Sequence, residues 1–126
     1  MMPAKRPQFQ VRALTIHCTD RDASEYFYKT VLGAARLPTD HGSLPPWFQL
    51  GSLPITLVFN AAEPSPAEFP RHAMPILWLE VADLDAARER FAGHEVPIVD
   101  PGDENYMMIA DPDGLVIEVW QSEAGP

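Results

Sequence analysis

The sequence has few of the residues that mark secreted or membrane-spanning proteins. It contains one cysteine, Cys18, which rules out an internal disulfide and a cysteine-based metal cluster and fits a reducing compartment. It has no apolar run near the ~18 residues that a membrane span needs, and its first ten residues do not resemble a signal peptide. We therefore expect a cytoplasmic protein.

Positive charge is also scarce. Nine Lys and Arg residues stand against 18 Asp and Glu, which gives a net charge of −9. Nucleic acids and anionic membranes bind to basic surfaces, so we expect neither as a partner. The length of 126 residues, with 46% hydrophobic and 21% charged residues, is typical of one globular domain that buries its own core.

The most informative segment is near the end of the chain. Residues 111–114 read Asp-Pro-Asp-Gly, a turn sequence, and residues 115–120 are β-branched, aliphatic or aromatic except for one glutamate. Side chains alternate along a strand, so Val116, Glu118 and Trp120 share one face. A carboxylate between a valine and an indole costs free energy unless it has a partner. Glu118 is therefore the first candidate functional residue.

A strand–helix–strand–strand–strand order occurs twice. The predicted helices, Asp20–Leu32 and Asp83–Phe91, begin 63 positions apart, and a proline-rich segment over residues 62–73 separates the halves. We predict an α+β fold of two tandem βαβββ modules, about residues 8–61 and 74–121. Their eight strands are expected to form a curved mixed sheet with the helices outside. The alternative is one continuous α+β domain whose halves look alike by chance.

This pattern resembles the vicinal oxygen chelate superfamily, which includes glyoxalase I, extradiol dioxygenases, fosfomycin-resistance thiol transferases and bleomycin-resistance proteins. The resemblance covers about Gln8 to Gln121, and it depends on the closing turn and strand and on the helix start at Thr19–Tyr28. It implies that each module supplies half of a cup and that the enzymes hold a divalent metal there. It also implies a homodimer, although the modules could pair within one chain or between two.

The resemblance assigns four strand positions to metal ligands, and in this chain they are Ala13, Thr56, Ile76 and Glu118. Ala and Ile offer no donor atom, while a divalent ion needs several nitrogen or oxygen donors. We therefore expect no metal at the usual position and no cofactor. An unusual trio of His17, Glu80 and Glu118 has suitable donors and stays open as an alternative.

Strand alternation predicts the lining of the cup, with the modules opening on strands over Phe9–Cys18 and Met74–Val81. The predicted ligand-binding residues are Thr15, His17, Thr56, Trp78, Glu80, Tyr106, Met108, Glu118 and Trp120. Aromatic rings with a few polar groups suit an apolar or aromatic ligand, and the acidic balance favours a cationic one. For Glu118, the alternative is a carboxylate with no ligand role, either solvated at the mouth of the cup or hydrogen-bonded to Thr56.

Three functions follow as hypotheses. The first is a metal-free small-molecule-binding protein, as the resemblance to bleomycin-resistance proteins implies. The second is a lyase or dioxygenase-like enzyme that uses a shifted divalent metal, or His17 and Glu118 as an acid–base pair. The third is a structural or regulatory module whose cup is closed by its own side chains. Cys18 is expected to pack against a helix and not to act as a nucleophile.

Overall fold

The computed structural model describes residues 7–38, 46–59 and 74–123, which form eight strands and two helices. The first module contains β1 (Leu14–Cys18), α1 (Arg21–Glu25, continued as a π-helix over Tyr26–Val31), β2 (Ala35–Leu37), β3 (Trp47–Leu50) and β4 (Leu53–Phe59). The second contains β5 (Leu77–Val81), α2 (Leu84–Gly93), β6 (Ile98–Asp100), β7 (Tyr106–Ala110) and β8 (Val116–Gln121).

Each module forms a four-stranded mixed sheet with the same strand order. The orders are β1-β4-β3-β2 and β5-β8-β7-β6. In both sheets the first and last strands of the module pair in parallel, and the other pairs are antiparallel. The predicted α+β fold of two tandem βαβββ modules is confirmed. The eight strands are divided between two sheets, and no backbone ladder joins these sheets in the described part of the chain.

The internal repeat holds at the level of single residues. His17 of β1 lies opposite Val58 of β4, and Glu80 of β5 lies opposite Trp120 of β8. The two pairs occupy the same place in the two sheets. The similarity between the halves is therefore structural and not a chance likeness of sequence.

Both helices begin at the predicted aspartates. The side chains of Asp20 and Asp83 accept hydrogen bonds from the backbone N–H groups of Ala23 and Ala86, each at 3.1 Å. These bonds satisfy donors that have no partner within the helix. The first helix differs from the prediction because its second half is π-helical. The chain leaves this helix through Gly33, whose φ of 77° favours glycine.

The strands that open the two modules are shorter than predicted. The first begins at Leu14 and not at Phe9, which is 90% exposed, and the fifth begins at Leu77 and not at Met74. Pairing with β4 and β8 starts at these positions, so the apolar residues before them have no ladder to join. The predicted linker, residues 62–73, lies outside the described residues.

One face of each sheet packs against the helices and forms the core. Its side chains come from alternate strand positions, such as Ile16 and Cys18 on β1 and Ile117 and Val119 on β8. Burial raises the pKa of the Cys18 thiol, which therefore stays protonated. The predicted packing role of Cys18 is confirmed.

The turn at residues 111–114 joins the second module to the first. Asp113 accepts hydrogen bonds from the backbone N–H of Thr19 at 3.1 Å and from its hydroxyl at 2.6 Å. Asp111 accepts one from the hydroxyl of Tyr28 at 2.7 Å and two from N–H groups of its own turn. Burial raises the pKa of the Asp111 carboxyl, and these hydrogen bonds offset part of that effect.

The helices of the two modules also contact each other. The Arg90 guanidinium donates to the backbone oxygen of Val31 at 2.8 Å, and the Tyr26 hydroxyl lies 2.7 Å from Nδ1 of His94. The modules therefore meet through their helices and through the turn. Neither helix in the described segments has the length and apolar character that crossing a bilayer requires.

We expect Tyr28→Phe to lower the free energy of unfolding by about 1–3 kcal/mol, because it leaves a buried carboxylate oxygen of Asp111 without its donor. The matched control is Tyr26→Phe on the same helix, where the hydroxyl is exposed and the change should be about 0.5 kcal/mol or less. Urea denaturation measures both. Equal losses in the two variants would contradict the assignment of the buried bond.

Candidate functional site

The second sheet presents one face away from its core. Six of the predicted ligand-binding residues lie there in two cross-strand rows, Trp78, Glu118 and Met108 in one and Glu80, Trp120 and Tyr106 in the next. Residues of the opposite face, such as Ile117 and Val119, are fully buried beneath them. We call these six residues the aromatic face.

Trp120 contacts both of the other rings of the aromatic face. Tyr106 stacks on Trp120 with centroids 5.0 Å apart and an interplanar angle of 23°, and Trp78 lies 5.6 Å from Trp120 at 47°. Trp78 is 64% exposed, whereas Trp120 and Tyr106 are half-buried. An aromatic ring this exposed beside other rings offers a stacking surface to a ligand or a partner.

Glu118 lies within this cluster and is half-buried. Its Oε1 accepts a hydrogen bond from the indole Nε1 of Trp120 at 2.9 Å. The alternative prediction, a hydrogen bond between Glu118 and Thr56, is wrong. The Thr56 hydroxyl lies in the other sheet and donates to the backbone oxygen of Pro46 at 2.9 Å. The carboxylate is thus held by a neighbour two positions along its own strand, since residues i and i+2 share a face.

The first sheet has an equivalent face with fewer aromatic rings. Thr15 and His17 are exposed on it, and Thr56 is buried with its hydroxyl already bonded. Trp47 lies opposite Thr56 in the β3–β4 ladder and therefore shares this face, where it is half-buried. Trp47 was not among the residues predicted from the sequence to line the cup. Alternation along β3 would have placed Trp47 on the same face as Thr56 once the pairing of β3 with β4 was known.

The two faces belong to different sheets of the chain, so His17 is not on the face that carries Glu80 and Glu118. The described residues contain no group of three or more His, Cys, Asp or Glu side chains placed to hold a metal ion. The proposed trio of His17, Glu80 and Glu118 is therefore not assembled within the described part of one chain.

A cavity of about 740 Å³ runs along the free edge of β5, between the two modules. Its walls are the end of the first helix with the β3–β4 turn on one side, and β5 with α2 on the other. Trp78 and Glu80 are among its lining residues, so it is continuous with the aromatic face. This cavity was not predicted from the sequence, because residues of both modules line it and their relative placement is not a local property.

The sequence profile of the Glyoxalase/Bleomycin resistance protein/Dioxygenase superfamily matches residues 10–119. The chain belongs to this superfamily. The match spans both modules, and it confirms the resemblance that the closing turn and strand indicated. No curated protein matches the chain in sequence.

Solved structures of this fold are similar to the chain over nearly its whole length. Glyoxalase I of Leishmania major has 21% identity and a TM-score of 0.73 over 93% of this chain and 89% of its own. A glyoxalase/dioxygenase from Nostoc punctiforme has 22% identity and a TM-score of 0.70 over 87% and 88%. TnmS3, an antibiotic-binding protein from Streptomyces, has 23% identity and a TM-score of 0.65 over 94% and 100%. At these identities the likeness establishes the fold.

The positions that the superfamily resemblance assigns to metal ligands do not fit a divalent ion in this chain. Ala13 and Ile76 have no donor atom, and the hydroxyl of Thr56 is hydrogen-bonded within its own sheet. Glu118 remains as a single carboxylate, one oxygen of which is bonded to an indole. A stable site for a divalent ion requires several donors in one place.

We expect the protein, purified without an affinity tag, to carry no stoichiometric divalent metal, because one carboxylate cannot hold such an ion against water. Elemental analysis by mass spectrometry measures this directly. One equivalent of Zn, Ni, Mn or Fe that is lost on His17→Ala would contradict the expectation and would favour the enzyme hypothesis.

Proposed function

We propose that this superfamily member is a metal-free binding protein that holds an apolar or aromatic small molecule against the aromatic face. The observation that carries the proposal is the cluster of Trp78, Trp120 and Tyr106 on the sheet face opposite the core. Stacking on such rings contributes about 0.5–1.5 kcal/mol per pair beyond the area that is buried. A ligand that covers Trp78 would gain this contribution and remove apolar surface from water.

The polar groups of the aromatic face indicate what else the ligand carries. Glu118 and Glu80 are acceptors on adjacent strands, and the ion pair between Arg36 and Glu25 involves neither of them. With a chain charge of −9, the surroundings favour a cation over an anion. A ligand with an aromatic ring system and a positive charge matches both features.

The structural neighbours include a protein of this type. TnmS3 is an antibiotic-binding protein that this chain resembles over 94% of its length. Because fold alone does not define function, this likeness supports the proposal by analogy, and the aromatic face carries it. A role in antibiotic resistance, by sequestering a toxic compound, follows from the same analogy.

We further propose that two copies of the chain form a homodimer that completes each cup. β1 and β5 are edge strands of their sheets, each paired on one side only within the described residues, and strand edges of this kind need cover. Ile76 and Trp78, at the β5 edge, are 43% and 64% exposed. Placing β1 of one chain beside β5 of another would bring Thr15 and His17 to the aromatic face.

The same dimer is the setting for the second candidate function, a lyase or dioxygenase-like enzyme. The exposed His17 of one chain would then stand near Glu118 of another, as an acid–base pair or as part of a shifted metal site. The metal analysis described above distinguishes a metal-dependent form of this enzyme from a binding protein.

We expect planar aromatic compounds, including a bleomycin-type cationic one, to bind saturably and to quench tryptophan fluorescence. Trp78→Ala should weaken binding about three- to tenfold, because it removes the exposed stacking ring. The control is Phe9→Ala, which removes an exposed ring outside the aromatic face and should leave the affinity unchanged. Lack of saturable binding to every such compound would refute the proposed function.

We expect light scattering to give twice the 14.0 kDa mass of one chain. Ile76→Asp should shift the protein to a monomer, because it places a charge beside the free edge of β5. The matched control is Ile98→Asp on β6, at the other edge of the same sheet, where the side chain is 47% exposed. A monomer mass for the unaltered protein across a wide concentration range would contradict the dimer.

A further inference from the structure

We infer that the aromatic face divides ligand recognition between two residues, with Trp78 as the stacking surface and Glu118 as an acceptor for a cationic N–H group. Trp120 serves as a positioning residue that holds Glu118 in place. The inference rests on the proposed function and defines the ligand class more narrowly, as a planar ring system that carries a protonated nitrogen donor.

The hydrogen bond between Trp120 and Glu118 leaves half of the carboxylate free. Oε1 accepts the indole N–H at 2.9 Å, and among the described residues no hydrogen bond reaches Oε2. The neighbours of Glu118 across the ladders are Trp78 and Met108, which offer no charge to pair with it. A half-buried carboxylate oxygen beside apolar side chains gains most from a charged donor, because such hydrogen bonds are about twice as strong as neutral ones.

The strand order shows why Trp120 cannot be the main stacking surface. β8 lies between β5 and β7, so Trp78 and Tyr106 approach Trp120 from opposite sides. Tyr106 covers one side in a nearly parallel stack, and its hydroxyl is tied to Asp100 at 3.3 Å. Trp120 is thus fixed between two rings, and its N–H is directed to Glu118. Trp78, on the outer strand and 64% exposed, is the ring that a ligand can cover.

The test uses two probes with the same three-ring frame. At neutral pH, 9-aminoacridine is a cation with N–H donors, whereas acridine is neutral and has no donor. Calorimetry should show that the unaltered protein binds 9-aminoacridine about tenfold more tightly than acridine, as one charge-assisted hydrogen bond allows. The ratio of the two affinities measures recognition of the positive charge. A general loss of structure would weaken binding of both probes, whereas a loss of charge recognition weakens only the binding of 9-aminoacridine.

Three variants separate the proposed roles. Glu118→Gln should bring the ratio close to one, and Trp120→Phe, which keeps a ring but loses the N–H, should lower it about threefold with little change for acridine. Trp78→Ala should weaken both probes by a similar factor. Glu89→Gln is the charge control, since it removes the same charge from an exposed position on α2 and should keep the ratio.

Each outcome decides a different point. Three results would overturn this inference: equal affinity for the two probes, a preference that persists in Glu118→Gln, or an unchanged ratio in Trp120→Phe. None of them would contradict the proposed small-molecule-binding function. If the unaltered protein binds neither probe, this inference fails. The proposed function fails as well only if no other planar aromatic compound binds. Circular dichroism of every variant shows whether a lost preference accompanies a lost fold.

Discussion

Asp111 and Asp113 place two carboxylates in buried positions between the modules, and the arrangement of the modules depends on the hydrogen bonds that they accept. Removing a carboxylate from water is costly, so these groups can be buried only where donors meet them. Thr19, just before the first helix, and Tyr28, within it, provide those donors. One turn of the second module therefore fixes both the start and the middle of the helix of the first.

The contact between the modules also affects the candidate site. Because the modules meet through helices and a turn, no strand pairing across the edges of β1 and β5 joins them within the described residues. In the same arrangement Trp78 is 64% exposed, and the cavity beside β5 is lined by residues of both modules. The aromatic face is thus left open to a ligand or a second chain.

Some features of the candidate site could be predicted from the sequence pattern and others could not. Alternation along β8 correctly placed Glu118 and Trp120 on one face, because a strand has a period of two regardless of its surroundings. The hydrogen bond to Thr56, one of the alternatives for Glu118, is not formed, because the side-chain conformation of Trp120 and the separation of the sheets decide which donor reaches the carboxylate. Trp47 was missed because its face depends on the register between β3 and β4.

The sequence by itself determined the two βαβββ modules, the aspartate caps of both helices and which residues alternate between the faces of β8, since propensity, capping and alternation are local properties. It also excluded two of the four usual metal ligands, because the side chains of Ala13 and Ile76 carry no donor in any fold. Only the tertiary structure decided that the strands form two separate sheets, that Asp111 and Asp113 link the two modules, and that Trp120 donates a hydrogen bond to Glu118. These features depend on contacts between residues far apart in the chain or on the choice of one side-chain rotamer, and neither is encoded in a local pattern.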